Sequence, residues 1–264
     1  MQNFCFEQTI VIRPIRFDTS EINATAAMQC ATYRRQFYDP QGTLGGELGK
    51  AYPMLERYET EEVFKGTWQK LAKMVAEPTP RGYAYVAFLV DRDQAEPVAI
   101  AKSMAWQAGD DLAENLTVYG KAKKVQDVAE LGSVYVRQDF QDKGLGALMV
   151  ARVARDALTK GYSQMVTRAY AKNVSPRFFV EKAFGQIMGS CAIPYGYDPA
   201  ILDAKGLRDD EMPSSIPGTW IFWNTRAIQK VAGLIADDPV RKWSPLNGRA
   251  SMRCLMVTQQ DLIP

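Results

Sequence analysis

The stretch Glu130–Val150, ELGSVYVRQDFQDKGLGALMV, decides how the rest of the chain is read. It opens on β-branched residues running to Val136, passes through a polar loop, and closes on apolar residues at helical spacing. Gly144 and Gly146 stand at the join. Exposed amides at a helix N-terminus favour an anion such as a phosphate, and glycine lets that anion approach the backbone. Three phosphate-binding patterns compete. A Walker loop needs GxxxxGK followed by Ser or Thr, which is absent. A dinucleotide fold wants G-x-G-x-x-G/A, and its last position here is Met149. The pattern Q/R-x-x-G-x-G/A is met by Gln141, Asp142, Lys143, Gly144, Leu145 and Gly146. An ordinary strand-to-helix turn without a ligand is the plain alternative to all three.

The helix that follows is expected from about Gly144 to Lys160. Leu145, Met149, Val153 and Ala157 form an i, i+4 ridge, and Gly161 stands where a C-terminal cap belongs. Ser163–Ala171 reads as a strand. Ser175, Pro176 and Gly185 then mark the cap, first turn and end of another helix. Upstream, Tyr83–Asp91 and Pro97–Trp106 form a β-hairpin pattern, preceded by a strand over Thr9–Ile15 and helices over Glu21–Tyr38 and Glu59–Ala76. Downstream come an irregular acidic segment, a strand over Gly218–Thr225, a helix over Ala227–Ala236 and a strand near Met252–Thr258. The order predicts an α/β (α+β mixed) fold, a mixed sheet flanked by helices.

Composition narrows the chemistry. The chain has 264 residues, 47% of them hydrophobic and 23% charged, enough for a large globular core. Its net charge is +2, which gives no ground for a general nucleic-acid or membrane-surface binder. Cys5, Cys30, Cys191 and Cys254 lie far apart and form no CxxC pair, as expected of reduced thiols in a cytoplasmic protein. No apolar run approaches the roughly 20 residues that span a bilayer. The chain contains 0 histidines, which removes histidine-dependent triads, histidine bases and histidine metal sites; no metal ligand set is expected. Proton transfer falls to carboxylates, Tyr, Lys, Cys or water.

Taken together, Glu130, the strand to Val136, the six-residue loop, the amphipathic helix and Asn173 before the next helix resemble the GNAT superfamily of N-acetyltransferases. The resemblance covers about residues 130–185. It implies a central mixed, mostly antiparallel sheet flanked by helices, with N- and C-terminal additions. Residues 1–226 would form the acyltransferase domain, with a motif-bearing core over 81–190 and an N-terminal strand and helices over 9–77; residues 227–264 would be an extension packed on it. It also implies acetyl-CoA as donor, with the backbone of Val134, Tyr135 and Val136 beside the pantetheine arm. The amides from Gln141 through Asp142, Lys143, Gly144 and Leu145 to Gly146 would surround the pyrophosphate, with Lys143 as a nearby positive charge, and Asn173 would contact the cofactor arm.

By the same resemblance, Glu130 is the general base that frees an attacking amine, often through water. Its alternative is a strand-end glutamate in a structural ion pair. Strand alternation places it on one face with Gly132, Val134 and Val136, and an amide near Val134 is the expected oxyanion donor. One departure stands out. Relatives carry a tyrosine where this chain has Val180, and their Gly-Phe ending is reversed as Phe184-Gly185. Tyr170, Tyr195 and Tyr197 are candidates to protonate the departing thiolate, which at a pKa near 8.5 is already a fair leaving group. The expected function is therefore acyl transfer from coenzyme A to a primary amine of a small molecule or protein. A catalytically weak acyl-CoA-binding module and an enzyme acting on a macromolecule are the alternatives.

Overall fold

The computed structural model describes residues 8–16, 18–42, 44–60, 64, 66, 69, 82–91, 94–105, 128–172, 175–235, 240–243 and 252–256. Among these, a nine-stranded sheet carries helices on both faces. The chain enters through β1 (Gln8–Pro14) and α1 (Thr19–Phe37), then two short helices, α2 (Glu47–Ala51) and α3 (Pro53–Tyr58). β2 (Gly82–Asp91), β3 (Gln94–Ala105) and β4 (Val128–Val136) follow, then α4 (Leu145–Thr159), β5 (Gln164–Tyr170) and α5 (Ser175–Glu181). β6 (Gln186–Pro194), α6 (Pro199–Lys205), β7 (Ser215–Asn224), α7 (Thr225–Ala232), β8 (Val240–Trp243) and β9 (Met252–Met256) complete it. The strand order is β6-β7-β5-β4-β3-β2-β1-β9-β8. Two neighbouring pairs, β4 with β5 and β1 with β9, are parallel, and the rest are antiparallel.

Local chemistry explains why these elements form. The Asp18 carboxylate accepts from the Ser20 and Glu21 amides and starts α1. Arg13 on β1 grips Glu21 with two bonds of 2.8 and 2.7 Å, tying strand to helix inside the protein. The α4 ridge is buried as its spacing predicts, with Leu145, Met149, Val153 and Ala157 against the sheet. Burying each of its larger side chains contributes about 2 kcal/mol. With α7, it covers one face of the sheet; α1 lies over the other, on Ala84, Val86, Phe88 and Ile100.

Most of the expected helix over Glu59–Ala76 and all of Gln107–Asp127 lie outside the described residues. Two differences from expectation have local causes. The segment expected to be irregular and acidic holds α6 and a 3₁₀ turn at Asp209–Glu211. Its signals are in the sequence: Asp198 caps the Ala200 amide, Pro199 opens the first turn, and Gly206 stops the helix in the left-handed region. β6 escaped notice because it is an edge strand, largely exposed and interrupted by Gly189, so it lacks a clean alternation.

Candidate functional site

The site begins where two parallel strands separate. β4 and β5 pair at Val128, Ala129 and Glu130, the last opposite Val166. Beyond that pair β4 stays bonded to β3, while its edge toward β5 opens. Ser133 adopts a φ of 52°, and the register with β3 slips so that Ser133 and Val134 together face Ala101. That bulge corrects the expected alternation. Val134 and Val136 turn to the α4 side with Leu131, while Tyr135 turns to the α1 side. Glu130 follows Val128 onto the α1 side, so it does not share a face with Val134 and Val136.

At the far end of β4 the loop is built from its own residues. A 3₁₀ turn at Gln138–Phe140 follows Arg137, whose guanidinium is held by Asp139 and Glu96. The Gln141 side chain donates to the Val136 carbonyl at 2.9 Å, and its amide donates to the Gln138 carbonyl at 3.1 Å. Gln141 therefore shapes the loop rather than offering its own amide. Asp142 and Gly144 take left-handed φ values of 57° and 77°. Gly144 caps α4 with no side-chain hydrogen bond, leaving first-turn amides for a ligand or water. A Cβ on Gly146 would meet the Phe178 ring of α5 at 3.2 Å, so this glycine serves the packing of α5 against α4. Leu145 is buried, and Lys143 holds its ammonium 5.1 Å from the Phe140 ring centre. Asn173 lies outside the described residues.

Between the parted strands lies a cavity of about 80 Å³, lined by Ser133, Val134, Tyr135, Arg168, Tyr170 and Phe179, among others. A second cavity of about 80 Å³ lies between α1, α2 and β7, and Phe37 and Tyr170 line both. A wider recess of about 610 Å³ runs along α1 beside Arg137, Gln138, Asp139 and Gln141. Glu130 borders the opening through Arg168, whose guanidinium stands 3.8 Å from its carboxylate. The ion-pair alternative for Glu130 is thus realised in this structure. Val180 is 36% exposed on α5; the neighbouring Phe179 faces the cleft instead. The reversed Phe184-Gly185 has a cause as well. Phe184 takes the positive φ of 59°, and a Cβ on Gly185 would strike Ile221 at 2.6 Å and Trp223 at 2.9 Å.

Sequence reasoning passed over Glu59 and Lys102. Glu59 is buried just after α3, and its carboxylate accepts from Tyr38 and Tyr195 hydroxyls. Burial pushes its carboxyl up to about 8, against the lowering pull of the Tyr195 hydroxyl and of Arg34. The Tyr195 hydroxyl lies 3.1 Å from that of Tyr33, which lies 3.3 Å from that of Tyr170. No local motif announces this cluster, since its members come from α1, β5 and the turns after α3 and β6. Lys102 on β3, facing Gly132 of β4, is buried too, and desolvation pulls its ammonium down to about 7.

Comparison with known proteins follows the same geometry. Residues 119–191 match the family described as FR47-like protein. No curated protein matches the chain at a significant level. A probable acetyltransferase from Staphylococcus epidermidis ATCC 12228 superposes with a TM-score of 0.50 at 10% identity, over 82% of this chain and 99% of that one. An aminoglycoside acetyltransferase solved with coenzyme A and kanamycin gives 0.50 at 12% identity, over 84% of this chain and 98% of that one. The GNAT-type domain match and the fold bear out the resemblance drawn from residues 130–185, and the expected mixed, mostly antiparallel sheet is the one observed.

Proposed function

We propose that this GNAT-fold chain is a coenzyme A-dependent N-acyltransferase that places an acetyl group on a primary amine. One observation carries the reading: β4 and β5 part after the Glu130–Val166 pair, and the uncapped loop before α4 stands at the end of the opened strand. The residues present fit such a donor. The backbone of Val134, Tyr135 and Val136 would pair with its pantetheine amides. The amides from Asp142 to Gly146 and the Lys143 ammonium would hold its pyrophosphate. Bound there, the donor supplies an acyl group activated by a thiol leaving group.

The chain's own residues then have separate tasks. Glu130 takes the proton from the attacking ammonium, through water, once its pairing with Arg168 is exchanged for that partner. The Val134 amide, in the bulge where β4 has an extra residue against β3, is the oxyanion donor. Phe179 and Tyr135 keep bulk water from the thioester.

The acceptor is a small-molecule amine in this reading. A solved relative of like fold holds kanamycin beside coenzyme A, which makes small amines the first class to assay. Val180 supports the second reading, a donor-binding module with little turnover, because it leaves α5 without a proton donor at that point. Acetyl-CoA binding by calorimetry, followed by transfer to a panel of amines, peptides and nucleic acid, tests these readings. Failure of wild-type protein to bind acetyl-CoA rejects both; tight binding with no transfer to any acceptor selects the second.

A further inference from the structure

We infer that Tyr170, fed through Tyr33 and Tyr195 by the buried Glu59 carboxyl, delivers the proton that the departing thiolate takes. The inference rests on the acyl-transfer reading above and adds the acid that Val180 cannot be.

Four groups form one hydrogen-bonded line. Tyr170 lines both the cavity between β4 and β5 and the cavity beside α2, so its ring stands between the two spaces. Its hydroxyl is 3.3 Å from Tyr33, and Tyr33 is 3.1 Å from Tyr195. Tyr195 meets one carboxylate oxygen of Glu59, and Tyr38 meets the other. Arg34 bonds the Glu59 backbone carbonyl and is the cation acting on the carboxyl. Among groups on the adjoining elements, Tyr135 and Tyr197 feel the charge of Glu59, Tyr58 donates to none of its oxygens but accepts from the Asp198 amide, and Lys205 bonds Thr60.

A hydroxyl chain of this kind moves protons by exchange. At neutral pH the buried carboxyl holds its proton, since it titrates near 8. Tyr195 donates to the Glu59 carboxylate; with the carboxyl protonated that bond reverses, so that Glu59 donates to Tyr195, Tyr195 to Tyr33, and Tyr33 to Tyr170, whose own proton is then available on a ring that lines the cleft. As the amine attacks, the carbon–nitrogen bond forms and the nitrogen releases its surplus proton to water, while the carbon–sulfur bond breaks and its electron pair leaves on sulfur. The sulfur takes the Tyr170 proton, each hydroxyl is refilled from its neighbour, and Glu59 ends as a carboxylate. Water restores its proton after product leaves. Tyr170 is the catalytic residue of the line; Tyr33, Tyr195 and Glu59 act through it.

The test removes hydroxyls while keeping rings. Y170F, Y33F, Y195F and E59Q should each lower kcat roughly 10- to 100-fold, the range of a weak general acid, with KM for acetyl-CoA within about twofold. Y170F combined with E59Q should be no slower than either alone, because one path is cut once. The falling limb of kcat near pH 8 should vanish in E59Q. Y197F, whose hydroxyl donates to the Pro213 carbonyl, is the control. A readout free of turnover is the pH dependence of the urea midpoint. E59Q should flatten it between pH 5 and 7, and Y195F should move its midpoint upward. Additive losses, or variants within twofold of wild type at every pH, overturn the relay while leaving acyl transfer standing. Absence of acetyl-CoA binding by the wild type overturns acyl transfer, and the relay with it.

Discussion

The two ends of the cleft are made in opposite ways. The proposed donor end, from Glu130 to Gly146, is one unbroken run in which each turn is prepared by its neighbours: Gln141 bonds Val136, and Gly144 supplies the left-handed residue. The other end joins residues far apart in the chain. Tyr33 and Tyr195 meet across 162 positions, and Tyr195 reaches Glu59 across 136. The first end presents backbone amides to solvent, where charge is cheaply held. The second buries a carboxyl group among aromatic rings, where desolvation favours its neutral form and full hydrogen bonding is needed. A contiguous loop can be rigid before the fold closes; the tyrosine cluster exists only after α1, α3, β5 and the turn following β6 have packed.

The comparison can be broken most sharply at Glu130. Glu130→Gln is expected to cut kcat about 100-fold or more, as loss of a general base does, with acetyl-CoA affinity unchanged by calorimetry. An unchanged rate would leave Glu130 as no more than the partner of Arg168. Next comes Gly144→Val. A β-branched residue held at φ 77° costs about 1–2 kcal/mol, so the melting temperature should fall and acetyl-CoA binding should weaken by roughly tenfold. Unaltered binding would remove the loop from the donor site.

The buried end predicts a stability profile. Glu59 sheds its proton near 8 in the folded chain and near its ordinary 4.5 when unfolded. Between those values the folded state holds a proton that the unfolded state lacks, so stability falls as pH rises. Lys102 acts oppositely: its folded value near 7 lies below the ordinary 10.5, so stability rises with pH across that window. Urea midpoints should therefore decline from about pH 5 to 7, and the decline should disappear in Glu59→Gln. The rise above pH 8 should disappear in Lys102→Met.

Two smaller effects separate packing from binding in the loop. Gly146→Ala should cost about 1 kcal/mol by crowding Phe178, and Phe178→Leu should relieve part of it in a double-mutant cycle. No relief would mean that Gly146 does not owe its place to α5. Lys143→Ala should weaken acetyl-CoA binding only a few-fold, with less salt dependence than wild type, as expected of a solvent-facing cation.

Much of the donor end was legible in the residues. The helix boundaries around Gly144 and Gly161, the ridge of α4 and the hairpin of β2 and β3 follow from periodicity and caps, which are short-range properties. Alternation failed at Ser133 because a bulge depends on the partner strand, and no residue of β4 announces it. The Phe184-Gly185 reversal was visible as a departure, but its reason, the room needed by Trp223, belongs to packing between β7 and α5. Glu59 and Lys102 passed without comment in an expected helix and an expected strand, since nothing within a few positions marks a charged side chain for burial.

By itself, then, the sequence determined the kind of elements, the strand-loop-helix with glycines at its join, and the absence of histidine chemistry. Those depend on residue type and spacing alone. The tertiary structure decided which way the strand faces turn, that Glu130 meets Arg168, and that four tyrosines and a glutamate share one hydrogen-bonded interior. Such contacts depend on where distant segments are brought together, and burial sets their chemistry only once that has happened.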